Sequence, residues 1–209
     1  MSGRFIVFEG GEGAGKSTVA AAIGRRLAHL GHEVVLTREP GGTPAGERVR
    51  ELLHEDLVPW GEAFAFLVAR AQIVHDLIRP ALDRGTIVLC DRFAASTFAY
   101  QGHARGLDLA TLRAANAAAT GGLEPELTVW LDLDPAVGLA RKLGEAEAIR
   151  TGLESLAFHQ RVRDGYRALM AEAPPGAWVR VNAARPLVEV EMHAWEAVVG
   201  DGGQGLGAG

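Results

Sequence analysis

Five short segments rich in apolar residues recur along the chain, and each is followed by glycine, proline or polar residues. Apolar runs of this length, bounded in this way, are typical of β-strands that are buried on both faces. The predicted strands cover residues 5–8, 33–37, 86–90, 127–133 and 178–181.

The segments between these strands carry apolar residues at helical spacing. In residues 16–30, for example, apolar side chains recur every three or four positions, which places them on one helix face. The predicted helices cover residues 16–30, 45–56, 61–84, 93–121, a stretch from residue 135 onward, 154–172 and 187–199. Breaks are expected near Pro59 and at residues 102–106.

Strands that are apolar on both faces and alternate with helices predict an α/β doubly wound fold. We therefore expect a five-stranded parallel sheet with helices on both faces. No repeat or linker divides the sequence, so residues 1–199 are predicted to form one domain. The last ten residues, 200–209, include six glycines and are predicted to form a flexible tail.

Composition narrows the class of protein. A chain of 209 residues that is 48% apolar is long enough to bury a full core. The formal net charge of −5 argues against a protein that wraps a nucleic acid polymer. A single cysteine, Cys90, excludes an internal disulfide, and the longest apolar runs are too short to span a membrane. A cytoplasmic protein is expected.

The segment that joins the first predicted strand and helix fits the phosphate-loop pattern G-x-x-x-x-G-K-[ST]. Glycines let backbone N–H groups approach phosphate oxygens, and the helix N-terminus favours an anion. Lys16 is predicted to reach the β- and γ-phosphates, and the Ser17 hydroxyl to ligate Mg²⁺. The predicted ATP-binding residues are Gly10, Gly11, Glu12, Gly13, Ala14, Gly15, Lys16, Ser17 and Thr18. The chain has only two lysines, Lys16 and Lys142, so a lysine at a motif position is informative.

Charged residues also follow other predicted strands, where ligands gather in an open parallel sheet. Arg38 follows the second strand and Arg92 the third, and two additional arginines favour a second phosphate group. Asp91, directly after an apolar strand, is predicted to hold Mg²⁺. Asp132 and Asp134 are rival candidates, although Asp132 also fits a structural role and Asp134 a helix cap.

Four motifs together resemble those of bacterial thymidylate kinases. They are GGEGAGKST, TREPGGT, the F-x-x-x-R of Phe66 and Arg70, and DRFAASTFAYQG. The likeness runs over residues 4–166 in the family's order, and this pairing of motifs is not shared by adenylate, guanylate or shikimate kinases. The resemblance implies a P-loop nucleoside monophosphate kinase fold, a homodimer, and the Mg²⁺-dependent transfer of phosphate from ATP to dTMP.

The resemblance also implies a binding site for dTMP. Phe66 would stack on the thymine ring, Arg70, Thr97 and Gln101 would bind the base, and Tyr100 would pack below the deoxyribose. From periodicity alone, Phe66 and Tyr100 fit core positions equally well. The implied dTMP-binding residues are Glu12, Arg38, Glu39, Arg50, Phe66, Arg70, Arg92, Ser96, Thr97, Tyr100 and Gln101.

The acceptor phosphate is expected to lie among three arginines, Arg38, Arg50 and Arg92. Arg92 would be closest to the transfer, whereas Arg50 taken alone is typical of a surface helix charge. Glu39 would orient the arginines and water. Glu12 would contact the sugar 3′-hydroxyl or water near the metal.

Phosphoryl transfer needs positive charge around the transferred group, and this phosphate loop contains no arginine. The predicted catalytic cations are therefore Lys16, Arg92 and a mobile cation from a lid at 142–153, for which Arg150 is the first candidate and Arg141 the second. Glu12 is also predicted to be catalytic. The family's lid usually carries D-R-x-E. This chain instead has Ile, Arg, Thr and Gly at 149–152.

Other functions fit parts of the pattern. A kinase for another deoxynucleotide is the nearest alternative, and because one buried methyl group is worth on the order of 1 kcal/mol, dUMP should remain a detectable substrate. An ATPase or nucleotide switch would not need the base pocket. An inactive paralogue is suggested only by the altered lid. The alanine-rich helix faces fit either a homodimer or packing within one chain.

Overall fold

A five-stranded parallel sheet forms the centre of the computed structural model, which describes residues 3–142 and 155–200. The strand order is β2-β3-β1-β4-β5, and every pairing is parallel. The strands are β1 (Phe5–Glu9), β2 (Val34–Arg38), β3 (Ile87–Asp91), β4 (Leu127–Asp132) and β5 (Trp178–Asn182). The predicted fold class is thereby confirmed.

Helices connect the strands and cover the sheet. They are α1 (Lys16–His29), α2 (Pro44–Leu52), α3 (Pro59–Ile73), α4 (Arg79–Asp83), α5 (Ala94–Thr97), α6 (Leu109–Thr120), α7 (Pro135–Lys142), α8 (Leu156–Glu172) and α9 (Leu187–Val199). None of the helices within the described ranges is long and apolar enough to cross a membrane.

The structure differs from the predicted helices at three places. Helix α3 begins at Pro59, two residues before the predicted start at 61, since a proline at the first helical position has no N–H bond to lose. Helix α2 ends at Leu52, four residues earlier than predicted. The predicted break at 102–106 is mostly a π-helical segment, Phe98–Ala104, and a second one, Val74–Ile78, joins α3 to α4.

The core lies on both faces of the sheet. Strand β1 is buried along its whole length, and its alternate residues point in opposite directions. Ile6 and Phe8 pack with α1 and α9, whereas Phe5 and Val7 pack against the other face, near the end of α3. Burial on both sides explains why the strand is apolar without alternation.

The carboxyl ends of three neighbouring strands meet at one edge of the sheet. Arg38 at the end of β2 pairs with Asp91 at the end of β3, and Asp91 pairs in turn with Phe8 of β1, just before the phosphate loop. Two predictions fall largely beyond this description. The lid at 142–153, apart from Lys142, and the tail at 200–209, apart from Gly200, lie outside the described residues.

Candidate active site

The phosphate loop lies between β1 and α1 and is pressed against α7. Gly13 has a φ of 67°, and a Cβ atom there would lie 2.2 Å from the carbonyl oxygen of Gly138 in α7. Only glycine fits this combination of left-handed backbone and close approach. Helix α7 therefore packs directly against one side of the loop.

Lys16 is held inside this loop. Its Nζ donates hydrogen bonds to the carbonyl oxygens of Gly10, at 3.1 Å, and Gly11, at 2.9 Å. Burial, reinforced by the nearby charge of Arg92, lowers the pKa of Lys16 to about 8. The buried ammonium group therefore lies inside the phosphate loop, bonded to the loop's own backbone.

Ser17 and Asp91 provide oxygen ligands beside the loop. The Ser17 hydroxyl donates to Asp91 Oδ2. The other carboxylate oxygen, Oδ1, is buried and has no hydrogen-bond partner in the described part of the chain. A hydroxyl and a carboxylate are ligands that suit Mg²⁺, which usually keeps several waters and binds substrate phosphates. The pair fits the metal site predicted from the sequence.

The two rival metal candidates have structural partners. Asp132 accepts hydrogen bonds from Arg163, at 2.7 Å, and Arg180, at 2.8 Å. Asp134 accepts from the backbone N–H of Ala136 at 3.0 Å, near the start of α7. In the described ranges, no group of three or more histidine, cysteine or acidic residues is arranged to hold a metal ion. These contacts favour Asp91 over both alternatives.

Arg92 lies between the phosphate loop and the rest of the cleft. Its φ of 71° is the only positive value for a non-glycine residue in the described chain. Its guanidinium group donates to Glu12 Oε1 at 2.8 Å, to the Ser96 hydroxyl at 3.2 Å and to the Gly10 carbonyl at 3.3 Å. The unusual backbone aims the side chain across the loop.

Glu9, at the end of β1, supports this turn, and the sequence prediction gave it no role. Its fully buried carboxylate accepts from the backbone N–H groups of Phe93, at 2.8 Å, and Ser96, at 3.1 Å. It also accepts from the hydroxyls of Ser96, at 2.6 Å, and Tyr166, at 2.9 Å. An acidic residue that ends a wholly apolar strand was the signal that could have identified it.

Glu12 lies between two cations. Oε1 accepts from Arg92, and Oε2 accepts from Lys142 Nζ at 2.7 Å. The Tyr100 hydroxyl also donates to Oε1, at 3.3 Å. Burial alone would raise the pKa of Glu12, but Arg92, Lys16 and Lys142 together hold it well below its usual range. Lys142 was predicted only as part of the lid, although its rarity in this sequence was a signal.

The predicted base-binding residues form the far end of the same cleft. Phe66 on α3 is partly buried, whereas Thr97, Tyr100 and Gln101 are buried around the start of the π-helical segment Phe98–Ala104. These side chains line the cleft together with the phosphate loop. A flat aromatic face next to polar side chains suits a nucleobase.

Arg70 is more deeply buried than a ligand-binding arginine usually is, with 1% of its surface exposed. Its guanidinium group donates to Glu39 at 2.8 Å, to Thr97 and Asn116 at 3.1 Å, and to the Phe93 carbonyl at 3.0 Å. The sequence prediction did not include the contacts with Asn116 and Phe93. Arg70 therefore joins α3, α6 and the start of α5 behind the base-binding end of the cleft.

Glu39 is the acidic partner of this buried arginine. Burial raises its pKa to about 7, against the opposing influence of Arg70. Its second oxygen, Oε1, is buried without a hydrogen-bond partner among the described residues.

The other two predicted phosphate ligands lie at the mouth of the cleft. Arg38 is more than half exposed and donates to Glu47 at 3.3 Å, while Arg50 on α2 donates to the Pro40 carbonyl at 3.5 Å. Of the lid candidates, Arg141 donates to the Gly13 carbonyl at 3.4 Å, and Arg150 lies outside the described residues.

Most predicted site residues line one cleft of about 580 Å³. They are Glu12, Gly13, Gly15, Lys16, Ser17, Thr18, Arg38, Glu39, Arg50, Phe66, Asp91, Arg92, Ser96, Thr97, Tyr100 and Gln101. The cleft combines a phosphate loop, a row of cations and an aromatic pocket. Chemically, this arrangement can hold two phosphorylated nucleotides end to end.

Comparison with known proteins agrees with this geometry. A family model described as thymidylate kinase matches residues 8–194. A thymidylate kinase from Deinococcus radiodurans is 50% identical over 199 residues, which cover 94% of this chain and 96% of the relative. A thymidylate kinase from Thermomicrobium roseum is 51% identical over 197 residues, covering 93% of each chain. One from a Synechococcus strain is 49% identical, covering 93% of this chain and 94% of the relative.

Proposed function

The chain belongs to the thymidylate kinase family, and on that premise we propose that the cleft holds its two nucleotides, ATP and dTMP, with their phosphates facing each other. The enzyme transfers the γ-phosphoryl group of ATP to dTMP and yields dTDP, a precursor of dTTP. The observation that carries the proposal is that Arg92 donates hydrogen bonds both to the phosphate loop, at Gly10 and Glu12, and to the hydroxyls of Ser96 and Tyr100, which belong to the predicted acceptor site. Because both substrates are intracellular nucleotides, we propose a cytoplasmic location.

On the donor side, the backbone of residues 10–18 binds the phosphates of ATP. Lys16 leaves its two carbonyl partners and binds the β- and γ-phosphates, since a phosphate is a stronger partner for an ammonium group than a carbonyl. Ser17 and Asp91 would hold Mg²⁺. When bound, the ion would neutralise charge between the donor phosphates.

On the acceptor side, Phe66 stacks on thymine, while Thr97, Gln101 and Arg70 hydrogen-bond its edge. Tyr100 packs below the deoxyribose, where a ribose 2′-hydroxyl would collide with the ring. The phosphate of dTMP is bound by the remaining predicted residues of the cleft, namely Arg38, Arg50 and Arg92. Ser96 orients Arg92, and Glu39 orients Arg70.

The chemical step needs cations and alignment more than it needs a base. The attacking oxygen of dTMP is already ionised at neutral pH, so proton removal is not required. Arg92 neutralises charge that develops on the transferred group. We propose that residues 1–199 act as one kinase domain with a tail at 200–209 and a lid at 142–153, and that Arg150 supplies a further mobile cation.

Release of ADP with each candidate acceptor tests the proposed function. We expect ADP to form with ATP, Mg²⁺ and dTMP, to form more slowly with dUMP, and to form negligibly with dCMP or dGMP. The loss of one methyl contact should lower kcat/KM for dUMP about tenfold. A coupled assay of ADP release with purified protein measures all four acceptors.

Two control arms separate the alternatives. Excess EDTA should abolish ADP release and added Mg²⁺ should restore it, as a Ser17–Asp91 metal site requires. ADP release without any acceptor would instead favour an ATPase. No ADP release with dTMP would favour an inactive paralogue.

A homodimer is proposed from an apolar stripe on α3. Trp60, Phe64 and Val68 follow one another at intervals of four, and the rings of Trp60 and Phe64 are stacked with centroids 5.6 Å apart. Phe64 is 53% exposed and Val68 is 57% exposed. Contiguous exposed apolar side chains are typical of protein interfaces, and a second copy of the chain offers a matching stripe.

Replacing apolar residues of this stripe by charged ones should separate the two copies. We expect the F64E/V68E variant to have the mass of one chain, 22.1 kDa, while the unmodified protein has twice that mass. Size-exclusion chromatography with light scattering measures both. Val188→Glu is the matched control, because Val188 on α9 is 71% exposed but lies outside the stripe. A single-chain mass for the unmodified protein would contradict the proposed dimer.

A further inference from the structure

The ion pair between Lys142 and Glu12 has no part in the binding proposed above for the phosphates of ATP or of dTMP. Lys142 is the last residue of α7, and only 16% of its side chain is exposed. Its Nζ lies 2.7 Å from Glu12 Oε2, on the opposite side of the carboxylate from Arg92. Inside a phosphate-binding cleft a lysine is expected to bind phosphate, and this one forms an ion pair with a carboxylate instead.

Helix α7 is built to bring this lysine to the loop. A Cβ atom on Gly138 would lie 2.1 Å from the carbonyl oxygen of Glu12, so the helix backbone and the loop backbone are in direct contact. Lys142 is four residues after Gly138 and therefore lies one helical turn further along the same face. Backbone packing thus fixes α7 against the loop, and the ion pair with Glu12 sets the position of the ammonium group.

The contact determines how the Glu12 carboxylate is oriented. With Oε2 bound to Lys142, Oε1 faces Arg92 and the Tyr100 hydroxyl, which are on the acceptor side of the cleft. Without Lys142, both carboxylate oxygens would be free to form a two-pronged pair with the Arg92 guanidinium group. Such a pair would turn Glu12 away from the acceptor sugar. It would also leave the Arg92 guanidinium group less available to the acceptor phosphate.

We propose that Lys142 is a positioning residue that fixes Glu12 for recognition of the deoxyribose 3′-hydroxyl. The proposal rests on the proposed function, in which Glu12 faces the acceptor sugar. Lys142 acts through Glu12 and has no contact of its own with the transferred phosphoryl group. The specificity of the site for a 3′-hydroxyl therefore depends on a residue outside the phosphate loop and outside the acceptor pocket.

Steady-state kinetics of Lys142→Met test this role in two backgrounds and with two acceptors. For dTMP we expect kcat/KM to fall about tenfold, as for other coupled residue pairs. The same substitution in a Glu12→Gln background should change kcat/KM less than about twofold, since the partner carboxylate is already absent. With 3′-deoxythymidine monophosphate as acceptor, the loss caused by Lys142→Met should shrink to about threefold or less.

Four controls keep the result interpretable. Lys142→Arg should retain most of the activity, because its charge can still reach Glu12. Arg167→Met removes one positive charge from an ion pair with Asp164 on α8, away from the cleft, and should leave kcat/KM unchanged. Thermal unfolding of each variant checks the fold, and Lys142→Gln repeats the comparison with a polar side chain.

The possible results point in different directions. An equal loss in the Glu12→Gln background, or with both acceptors, would mean that Lys142 acts directly on the phosphoryl group and would overturn the proposal. No loss with dTMP would overturn it as well. If the unmodified protein released no ADP with dTMP, the proposed function would fail, which is a different outcome.

Discussion

Replacing Arg92 by methionine is expected to lower kcat about 10³-fold while ATP binding changes little. The guanidinium group donates to the phosphate loop at Gly10 and Glu12 and to the Tyr100 hydroxyl, so in the proposed arrangement it lies between the two nucleotides. Charge develops there only in the transition state, and a missing cation therefore affects kcat more than substrate binding. ADP release measures kcat, and nucleotide titration measures the affinity for ATP.

Arg92 also contributes to the structure, so its variants need separate tests of folding. Arg92→Lys keeps the charge but loses the planar fork, and should lower kcat by about 10- to 100-fold. Arg167→Met again serves as the control for loss of one positive charge. If Arg92→Met weakened ATP binding and kcat equally, or lowered its unfolding temperature enough to explain the loss, a catalytic role would be excluded.

Local patterns account for the parts of the fold that the sequence predicted well. The predicted strand 5–8 and helix 16–30 agree with β1 and α1 to within one residue at each end. A buried strand, a glycine-rich turn and an amphipathic helix each leave a signal within a dozen residues. The parallel sheet followed from the alternation of such units, because parallel strands need long connections.

Contacts between distant segments could not be predicted in the same way. The bond between Glu9 and Tyr166 joins residues 157 positions apart, and Arg70 reaches Asn116 across 46 positions. Neither partner carries a local pattern that identifies the other. The π-helical segment Phe98–Ala104 was predicted as a broken helix, since glycine at position 102 is typical of a break.

Arg70 illustrates why the predicted base contact was only part of its role. Spacing on α3 placed Arg70 one turn from Phe66, which correctly indicated one helix face. The spacing gave no information about how deeply the Arg70 side chain is buried. The structure places the guanidinium group under the pocket, bound to Glu39, so its removal should affect stability as well as recognition.

We expect Arg70→Met to lower the free energy of unfolding by about 3 to 5 kcal/mol, because it leaves the carboxylate of Glu39 buried without its partner. The loss should depend on pH. In the unmodified protein burial raises the pKa of Glu39 from 4.5 to about 7, so its contribution to stability is complete below pH 4.5 and is lost as the pH rises to about 7. Without Arg70 that pKa rises further, and the decline continues above pH 7.

Urea unfolding at pH 6.5 and pH 8.5 measures this difference. The deficit of Arg70→Met relative to the unmodified protein should be about 2 kcal/mol larger at pH 8.5, since each further pH unit above 7 costs about 1.4 kcal/mol. In the double variant R70M/E39Q the amide does not titrate, whereas Glu39 of the unmodified protein still loses a small part of its contribution above pH 6.5, so the deficit of the double variant should not grow at pH 8.5. A deficit of Arg70→Met that did not change with pH would mean that Glu39 stays ionised without Arg70, stabilised by some other group. A buried carboxyl group whose second oxygen has no described hydrogen-bond partner is instead expected to take up a proton.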